Sequence, residues 1–190
     1  NETLFDAVQL KAAPTATVAD RVRMHNLGIS LTALGQGIPF FHAGDELLRY
    51  KSMDRDSYNS GDWFNRLDFS YTVNNWGVGL PVASKNQSNW GIMQPLLANP
   101  ALKPGPKEIR RAFEHFAETM SIRSSMHLFR LPTADEVRNK LRFHNTGPSQ
   151  HPGLIVMSLS DNTANRFASC TSTPGTGRGR TARVGNSTVK

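Results

Sequence analysis

A short apolar run enclosed by glycines constrains the fold most strongly. Residues 38–43 read Ile-Pro-Phe-Phe-His-Ala and lie between Gly37 and Gly44. A run of this length and composition is typical of a strand that is buried on both faces. Pro39 fits near the start of such a strand, where a missing backbone N–H is tolerated. The sequence therefore predicts a buried strand from residue 38 to residue 43.

Helical patterns lie on both sides of this run. Residues 17–35 carry apolar side chains at mostly helical intervals, and Thr17 and Asp20 have the spacing of a capping box. Residues 107–123 follow two prolines and place their apolar side chains on one face. A helix that leads into a buried strand predicts parallel α/β architecture, with the second helix covering a sheet.

A long polar segment, residues 45–89, separates the predicted strand from the second helix. It is rich in Asn, Asp, Ser and Gly and has little sustained periodicity. Loops of this length in compact domains are usually functional or disordered. Trp63 and Trp76 within it, and Trp90 directly after it, argue against disorder, because disordered segments are poor in aromatic residues. We interpret the segment as an ordered functional loop.

The pattern changes near the C-terminal end. Residues 141–144 and 154–159 read as two strands with a Gly- and Pro-containing connection, which predicts the start of an antiparallel β domain. After Asp161 the apolar periodicity ends and no further strand is predicted, although an isolated hairpin is marginal in water. We therefore hypothesise that residues 161–190 are a disordered or non-native tail, such as a shifted reading frame or an unremoved intron.

Charge and composition exclude several classes of protein. The net charge is +7, but residues 161–190 hold five basic residues and one acidic residue. Only one aromatic residue, Phe167, lies among these basic residues, so a solvated terminal segment is favoured over a nucleic-acid-binding arm. The sequence has no run of 18 apolar residues, and we expect no membrane partner. The single cysteine, Cys170, excludes an internal disulfide and a cysteine-based zinc cluster.

Residues 37–81 carry the most specific pattern, GIPFFHAGDELLRYKSMDRDSYNSGDWFNRLDFSYTVNNWGVGLP. This string resembles the region of the eighth barrel strand in pullulanases and plant-type limit dextrinases of the α-amylase family. The resemblance covers about residues 1–159, and the part DRDSYNSGDWFN is its most specific motif. It implies an α/β fold, the C-terminal part of a (β/α)8 barrel followed by the start of an antiparallel β-sandwich domain.

The resemblance also assigns segments to this fold. Residues 1–125 would form the C-terminal portion of the barrel and residues 126–160 the start of the β domain. Within the barrel, the loop after strand seven would be 1–16, helix seven 17–35, strand eight 37–43 and the following loop 44–105. Both loops would lie at the C-terminal ends of the strands, which is the active face of such barrels.

The resemblance implies a double-displacement hydrolysis of α-1,6-glucosidic bonds, which needs two carboxylates about 5 Å apart. In the family these acids, and a third Asp in a His-Asp-Asn motif, precede the position of Asn1. We therefore expect a fragment without catalytic residues that is itself inactive; the alternative is a non-catalytic glucan-binding fragment. The implied partners are pullulan, limit dextrins and amylopectin. No cofactor is expected, with calcium left open for a full-length enzyme, and the compartment stays open.

The resemblance further suggests a set of substrate-binding residues, and the Arg fork with neighbouring carboxylates suits sugar hydroxyls. These candidates are Arg55, Asp54, Asp56, Asn59, Asn1 and Trp63. An Asp-Arg-Asp run is otherwise a loop ion-pair network, and this alternative stays open. The tryptophans of the loop either stack on glucose faces or, more commonly, pack within the loop.

Two further positions bear on the site. Asp45 and Glu46 are adjacent and leave the predicted strand in opposite directions, so we expect them to anchor the loop rather than to act as a catalytic pair. Ser88 stands where the resemblance leads us to expect an acidic residue, which places one sugar contact in doubt.

Overall fold

The computed structural model describes residues 2–161 and 166–172. Its helices and strands are α1 (Leu4–Ala7), α2 (Val18–Ala33), α3 (Asp62–Asn65), α4 (Ala83–Asn86), α5 (Trp90–Leu97), α6 (Pro106–Ser125), α7 (Ala134–Lys140), β1 (Leu141–Phe143), β2 (Leu154–Ser160) and β3 (Arg166–Ser172). One π-helical turn, Val8–Ala12, and four 3₁₀ turns, Asp45–Leu47, Gln87–Asn89, Pro100–Leu102 and His127–Arg130, complete the helical elements of the described residues.

The chain divides into two compact units. The first unit consists of Asn1–Gly28 and Phe41–Phe116, and the second unit of Ile29–Phe40 and Ala117–Lys190. Each unit has its own apolar cluster.

The two long helices occur where the sequence predicts them. The predicted cap of α2 forms: the Thr17 hydroxyl accepts the Asp20 N–H at 3.2 Å and donates to the Asp20 carboxylate at 2.7 Å. At the start of α6, the Glu108 carboxylate accepts the N–H of Gly105 at 3.1 Å. Both contacts satisfy backbone donors that an uncapped helix start would leave without partners.

The core of the first unit is built largely from loop residues. Phe5 of α1, Val22 of α2 and Ile109 of α6 pack with Tyr50 and Trp76 of the long polar segment, and all five are buried. Side chains of an irregular segment therefore occupy the core positions that a sheet commonly supplies. This agrees with the prediction that the loop is ordered.

The predicted strand at residues 38–43 is absent. These residues carry no strand assignment, and Ile38 and Phe40 are each 91% exposed. A strand needs neighbouring strands for its backbone hydrogen bonds, and the described residues place none beside this run. The prediction of a buried strand is therefore wrong for this chain, and no parallel strand pair occurs within residues 2–161 and 166–172.

The second unit contains an antiparallel sheet in the order β1-β2-β3. Leu141 pairs with Leu159 between the first two strands, and Leu154 pairs with Ser172 between the second and third. The two predicted strands are confirmed. The expectation that no strand follows Asp161 is wrong, because a polar strand such as β3 lacks the apolar pattern on which the expectation relied. Residues 173–190 lie outside the described residues, and so does the tail hypothesis for them.

A buried arginine organises the backbone of the second unit. Arg123 of α6 is 6% exposed and donates to the carbonyls of Ala33 and Gly35, each at 2.7 Å, and of Phe129 at 3.3 Å. It also donates to the carbonyl of Gly37, which has a positive φ of 86°. One guanidinium thus satisfies the carbonyls that α2 and the turn after it leave unpaired.

Within the described part of the chain, no helix is long and apolar enough to cross a membrane. The same residues contain no group of three or more His, Cys, Asp or Glu side chains arranged to hold a metal ion.

Candidate functional site

The buried carboxylate of Asp54 fixes the start of the Asp54–Asn59 segment. Asp54 is 3% exposed, and its Oδ1 accepts the Asp56 N–H at 3.2 Å and the Asn86 side-chain amide at 2.9 Å. The first contact is a local turn in which a side chain replaces a backbone acceptor. The Oδ2 atom of Asp54 is buried without a hydrogen-bond partner. Asp54 is therefore an anchor of the segment rather than a surface contact.

Arg55 directly follows Asp54 in the chain. One Nη atom lies 3.3 Å from a carboxylate oxygen of Glu2, and the side chain is 37% exposed. Glu2 also pairs with Lys11 at 2.7 Å. The hydrogen bond from Lys11, with the charges of Lys11 and Arg55, lowers the pKa of Glu2. Glu2 thus stays ionised and orients the guanidinium from the side of the N-terminal segment.

Asp56 and Asn59 lie on the exposed side of the segment. The Asp56 side chain is 60% exposed and lies 3.4 Å from Lys85 Nζ. Lys85 Nζ also donates to the carbonyl of Asp56 at 3.2 Å and to the carbonyl of Tyr58. Asn59 is exposed and has a positive φ of 58°. The segment therefore presents a cation, a carboxylate and an amide on a backbone held by Lys85.

Unusual backbone conformations concentrate around this segment. Six non-glycine residues of the described part have positive φ: Leu48, Ser52, Met53, Asn59, Tyr71 and Asn75. A left-handed conformation costs an L-residue roughly 1–2 kcal/mol, and such residues cluster where surrounding structure over-determines them, often at functional sites. All six lie within residues 48–75, which contain the candidate site.

Trp63 is an exposed residue beside a cleft in the first unit. Its ring is 59% exposed, and its indole N–H donates to the carbonyl of Val78 at 2.8 Å. It borders a cleft of about 280 Å³ that is also lined by Arg66, Val73, Asn75, Trp76, Gly77, Val78 and Lys103. Among the described residues, none of the other predicted substrate-binding residues lines this cleft. Asp54, Arg55, Asp56 and Asn59 therefore share one segment, whereas Trp63 lines a cleft that these four residues do not line.

The other two tryptophans pack inside the first unit. Trp76 is 4% exposed and stacks on Tyr50 with ring centroids 4.3 Å apart. Trp90 is partly buried, and its indole N–H donates to the carbonyl of Pro81 at 2.9 Å. For these two residues the packing alternative of the sequence analysis is confirmed.

The adjacent acids Asp45 and Glu46 anchor backbone, as predicted. Asp45 accepts the N–H of His42 at 3.1 Å, and Glu46 accepts the N–H of Gly44 at 3.0 Å. Burial is the main cause that raises the pKa of Asp45. His25 donates to the Asp45 carbonyl at 2.7 Å, which ties this turn to α2.

Sequence reasoning missed a buried polar group beneath the N-terminal segment. Asp6 is 2% exposed and accepts the Thr3 hydroxyl at 3.0 Å, while the Thr3 hydroxyl accepts the Asp6 N–H at 3.2 Å. Burial raises the pKa of Asp6 to about 6, against the opposing hydrogen bonds from Thr3 and Tyr50. The signal was present, because Thr3 and Asp6 repeat the capping spacing of Thr17 and Asp20.

Two remaining positions complete the set. Asn1 lies outside the described residues, so its predicted sugar contact stays a prediction. Ser88 is exposed on the 3₁₀ turn Gln87–Asn89, two residues after Asn86.

Comparisons with known proteins identify relatives of this chain. The family profile of the C-terminal region of pullulanase-type alpha-1,6-glucosidases matches residues 71–173. The chloroplastic pullulanase 1 of Arabidopsis thaliana is 56% identical over 161 residues, covering 85% of this chain and 17% of the relative. The pullulanase of Klebsiella aerogenes is 42% identical over 161 residues, covering 85% and 15%.

Solved structures give the same result. The pullulanase of Klebsiella pneumoniae complexed with maltotriose has a TM-score of 0.83 at 37% identity, covering 91% of this chain and 17% of that one. These matches identify a homologue of glycoside hydrolases that act on α-1,6 bonds. The chain belongs to the pullulanase family, as its sequence predicted. It spans less than one fifth of the length of these curated relatives.

Proposed function

We propose that this chain is the C-terminal part of a debranching enzyme that hydrolyses α-1,6-glucosidic bonds in pullulan, limit dextrins or amylopectin. The family membership and the 161-residue match to two pullulanases support this. No cofactor is part of the proposal.

The proposal includes the finer fold assignment. Residues 17–35 would be helix seven of a (β/α)8 barrel, and the β1–β3 sheet would be the start of a β-sandwich. Residues 37–43, which form no strand in this chain, would become the eighth strand only beside neighbouring barrel strands. The exposure of Ile38 and Phe40, 91% each, supports this assignment. Two alternate apolar side chains that face solvent in this run would be covered by neighbouring elements of a closed barrel.

We propose that the chain contacts glucan through the Arg55 segment. The observation that supports this proposal is the position of the Arg55 guanidinium. One of its Nη atoms lies 3.3 Å from a carboxylate oxygen of Glu2, while 37% of the arginine side chain stays exposed. Arginine supplies donors in a fixed fork, and the neighbouring exposed Asp56 supplies acceptors for sugar hydroxyls. A pre-organised polar group loses little conformational entropy when it binds. Trp63 would add an aromatic contact in its own cleft.

Hydrolysis by this chain alone is not proposed. Asp6 has the raised pKa that suits a general acid, but at 2% exposure and bonded to Thr3 it cannot reach a glycosidic oxygen. Asp45 and Glu46 are engaged with backbone N–H groups, and Asp54 is buried. We therefore propose that Asp6, Asp45, Glu46 and Asp54 position structure rather than cleave a bond.

The test is a titration of the purified chain with maltotriose, followed by ¹⁵N–¹H NMR, whose dispersed spectrum also reports folding. Arg55→Ala should weaken binding about tenfold, the effect of losing one charge-assisted hydrogen-bonding group. The matched control is Arg23→Ala, an exposed arginine of the same unit that pairs with Asp20. Trp63→Ala in the same titration reports the aromatic contact.

Pullulan incubated with the chain should release no new reducing ends. Robust hydrolysis would contradict the binding-only assignment. Equal affinities of the wild type and the Arg55→Ala variant would contradict the role of Arg55.

A further inference from the structure

Both polar side-chain atoms of Asn86, a residue near the candidate site, form hydrogen bonds. The sequence analysis predicted no role for this residue. It is 0% exposed. Its Oδ1 accepts the backbone N–H of Arg55 at 3.3 Å, and its Nδ2 donates to Asp54 Oδ1 at 2.9 Å and to the Val82 carbonyl at 3.4 Å. One buried side-chain amide thus forms hydrogen bonds with two successive residues of the site, although it lies on a helix more than 30 residues further along the chain.

The residue before Asn86, Lys85, forms hydrogen bonds with the next part of the segment. Lys85 Nζ lies within hydrogen-bond distance of the carbonyls of Asp56 and Tyr58 and pairs with the Asp56 carboxylate at 3.4 Å. Together, Lys85 and Asn86 hold the Asp54 carboxylate and the backbone of Arg55, Asp56 and Tyr58. The short helix α4 therefore acts on every candidate residue of this segment up to Tyr58.

The segment needs such support because its own backbone is strained. Ser52 and Met53, immediately before it, have positive φ values of 50° and 64°, and Asn59 follows with 58°. Buried groups that are fully hydrogen-bonded rigidify their surroundings, whereas a missing partner leaves a desolvated group without compensation. Removing the amide of Asn86 would take this acceptor from the Arg55 N–H and one of the two donors from Oδ1 of the buried Asp54.

We propose that Asn86 is a positioning residue for glucan binding, which acts by fixing the backbone that carries Arg55, with Lys85 as its partner on the same helix. This inference rests on the proposed glucan contact of Arg55. Asn86 is buried, so it touches no ligand itself; its effect on affinity passes through Arg55.

The experiment is a double-mutant cycle of Asn86→Ala and Arg55→Ala, read by maltotriose affinity of the purified chain. Asn86→Ala alone should weaken binding about tenfold, and it should add almost nothing in the Arg55→Ala background, because coupled residues are not additive. Additive losses would overturn the inference. The inference would also be overturned if Arg55→Ala weakened binding while Asn86→Ala left the affinity unchanged.

A spectroscopic readout separates positioning from general destabilisation. The Arg55 backbone amide should lose exchange protection and shift its NMR signal in Asn86→Ala. The matched control is Asn145→Ala in the second unit, because Asn145 also ties a loop with its side chain, donating to the carbonyls of His151 and Leu154 at 2.8 and 2.7 Å. It should lower stability without changing affinity or the Arg55 signal; a control that weakened binding equally would refute positioning.

If Asn86→Ala does not fold, Lys85→Met replaces it in the same cycle, with an expected loss of about threefold that vanishes in the Arg55→Ala background. If the wild type binds no maltotriose, the proposed function itself fails and the inference falls with it. If the wild type binds and Arg55→Ala binds weakly, but neither Asn86 nor Lys85 changes affinity, only the inference fails.

Discussion

Arg21 in the first unit and Arg123 in the second are both buried, yet they are satisfied in different ways. Arg123 donates to four backbone carbonyls. Arg21 donates to one, that of Leu102 at 2.7 Å, and its guanidinium lies 5.1 Å from the ring centre of Phe5 and 5.6 Å from that of Trp76. Its Nε and Nη1 atoms are buried without hydrogen-bond partners. Desolvation lowers the pKa of both guanidinium groups.

The contrast extends to the two units as wholes. Among the described residues, the buried side-chain atoms without partners and the non-glycine residues with positive φ all lie in the first unit. The second unit combines an apolar cluster with backbone carbonyls that Arg123 satisfies. Strain and unpaired polar groups accompany function more often than stability. The first unit therefore holds the strained backbone and the unsatisfied polar atoms, and it also contains the Arg55 segment.

Arg123→Met should produce the largest effect, because it takes a donor from four backbone carbonyls, two of them in buried hydrogen bonds. We expect the free energy of unfolding to fall by about 3–5 kcal/mol. Chemical denaturation measures it, and hydrogen exchange should localise the loss to the second unit. The control is Arg138→Met, since its exposed pair with Asp135 contributes at most about 0.5 kcal/mol. Similar losses for both variants would remove the contrast between the units.

Asp6→Asn tests whether the first unit holds an ionisation that opposes folding. The folded-state pKa of about 6 exceeds the ordinary 3.8, so stability from this group is full below pH 3.8 and is lost as the pH rises through 6. About two pKa units correspond to about 3 kcal/mol. The unfolding free energy of Asp6→Asn minus that of the wild type should therefore increase between pH 4 and 6.

Taking this difference at each pH removes the contribution of other titrating groups. His25 is the main one, because burial lowers its pKa to about 4 and its contribution to stability changes in the opposite direction over the same range. Thermal or urea unfolding of both proteins at pH 4, 5, 6 and 7 measures the difference. A difference that stays constant with pH would show that Asp6 does not ionise within the fold.

The sequence predicted the elements whose signal is local. The capping pair Thr17 and Asp20, the apolar face of α6 and the apolar run of β2 each depend on residues within a few positions. The run at 38–43 was misread because strand formation depends on neighbours that composition cannot report. β3 was missed because hydrogen bonding to β2, rather than an apolar pattern, defines it.

The candidate site was only partly predictable for the same reason. The motif around Arg55 directed attention to the correct segment, but nothing in the sequence separates the exposed Trp63 from the buried Trp76. The support from Asn86 was invisible, because it joins residues 31 and 32 positions apart and no pattern marks a single asparagine in a polar stretch. Contacts of this kind need the three-dimensional arrangement.

Arg21→Met should have the smallest effect, and it sharpens the comparison because it repeats the substitution made at Arg123. The methionine keeps a flexible side chain against Phe5 and Trp76 while it removes two donors that have no acceptor. Only the Leu102 carbonyl loses a partner, so the expected cost is about 1 kcal/mol or less. Urea denaturation of the two methionine variants side by side gives the answer. A loss at Arg21 as large as that at Arg123 would mean that the aromatic faces stabilise a guanidinium as strongly as four carbonyls do.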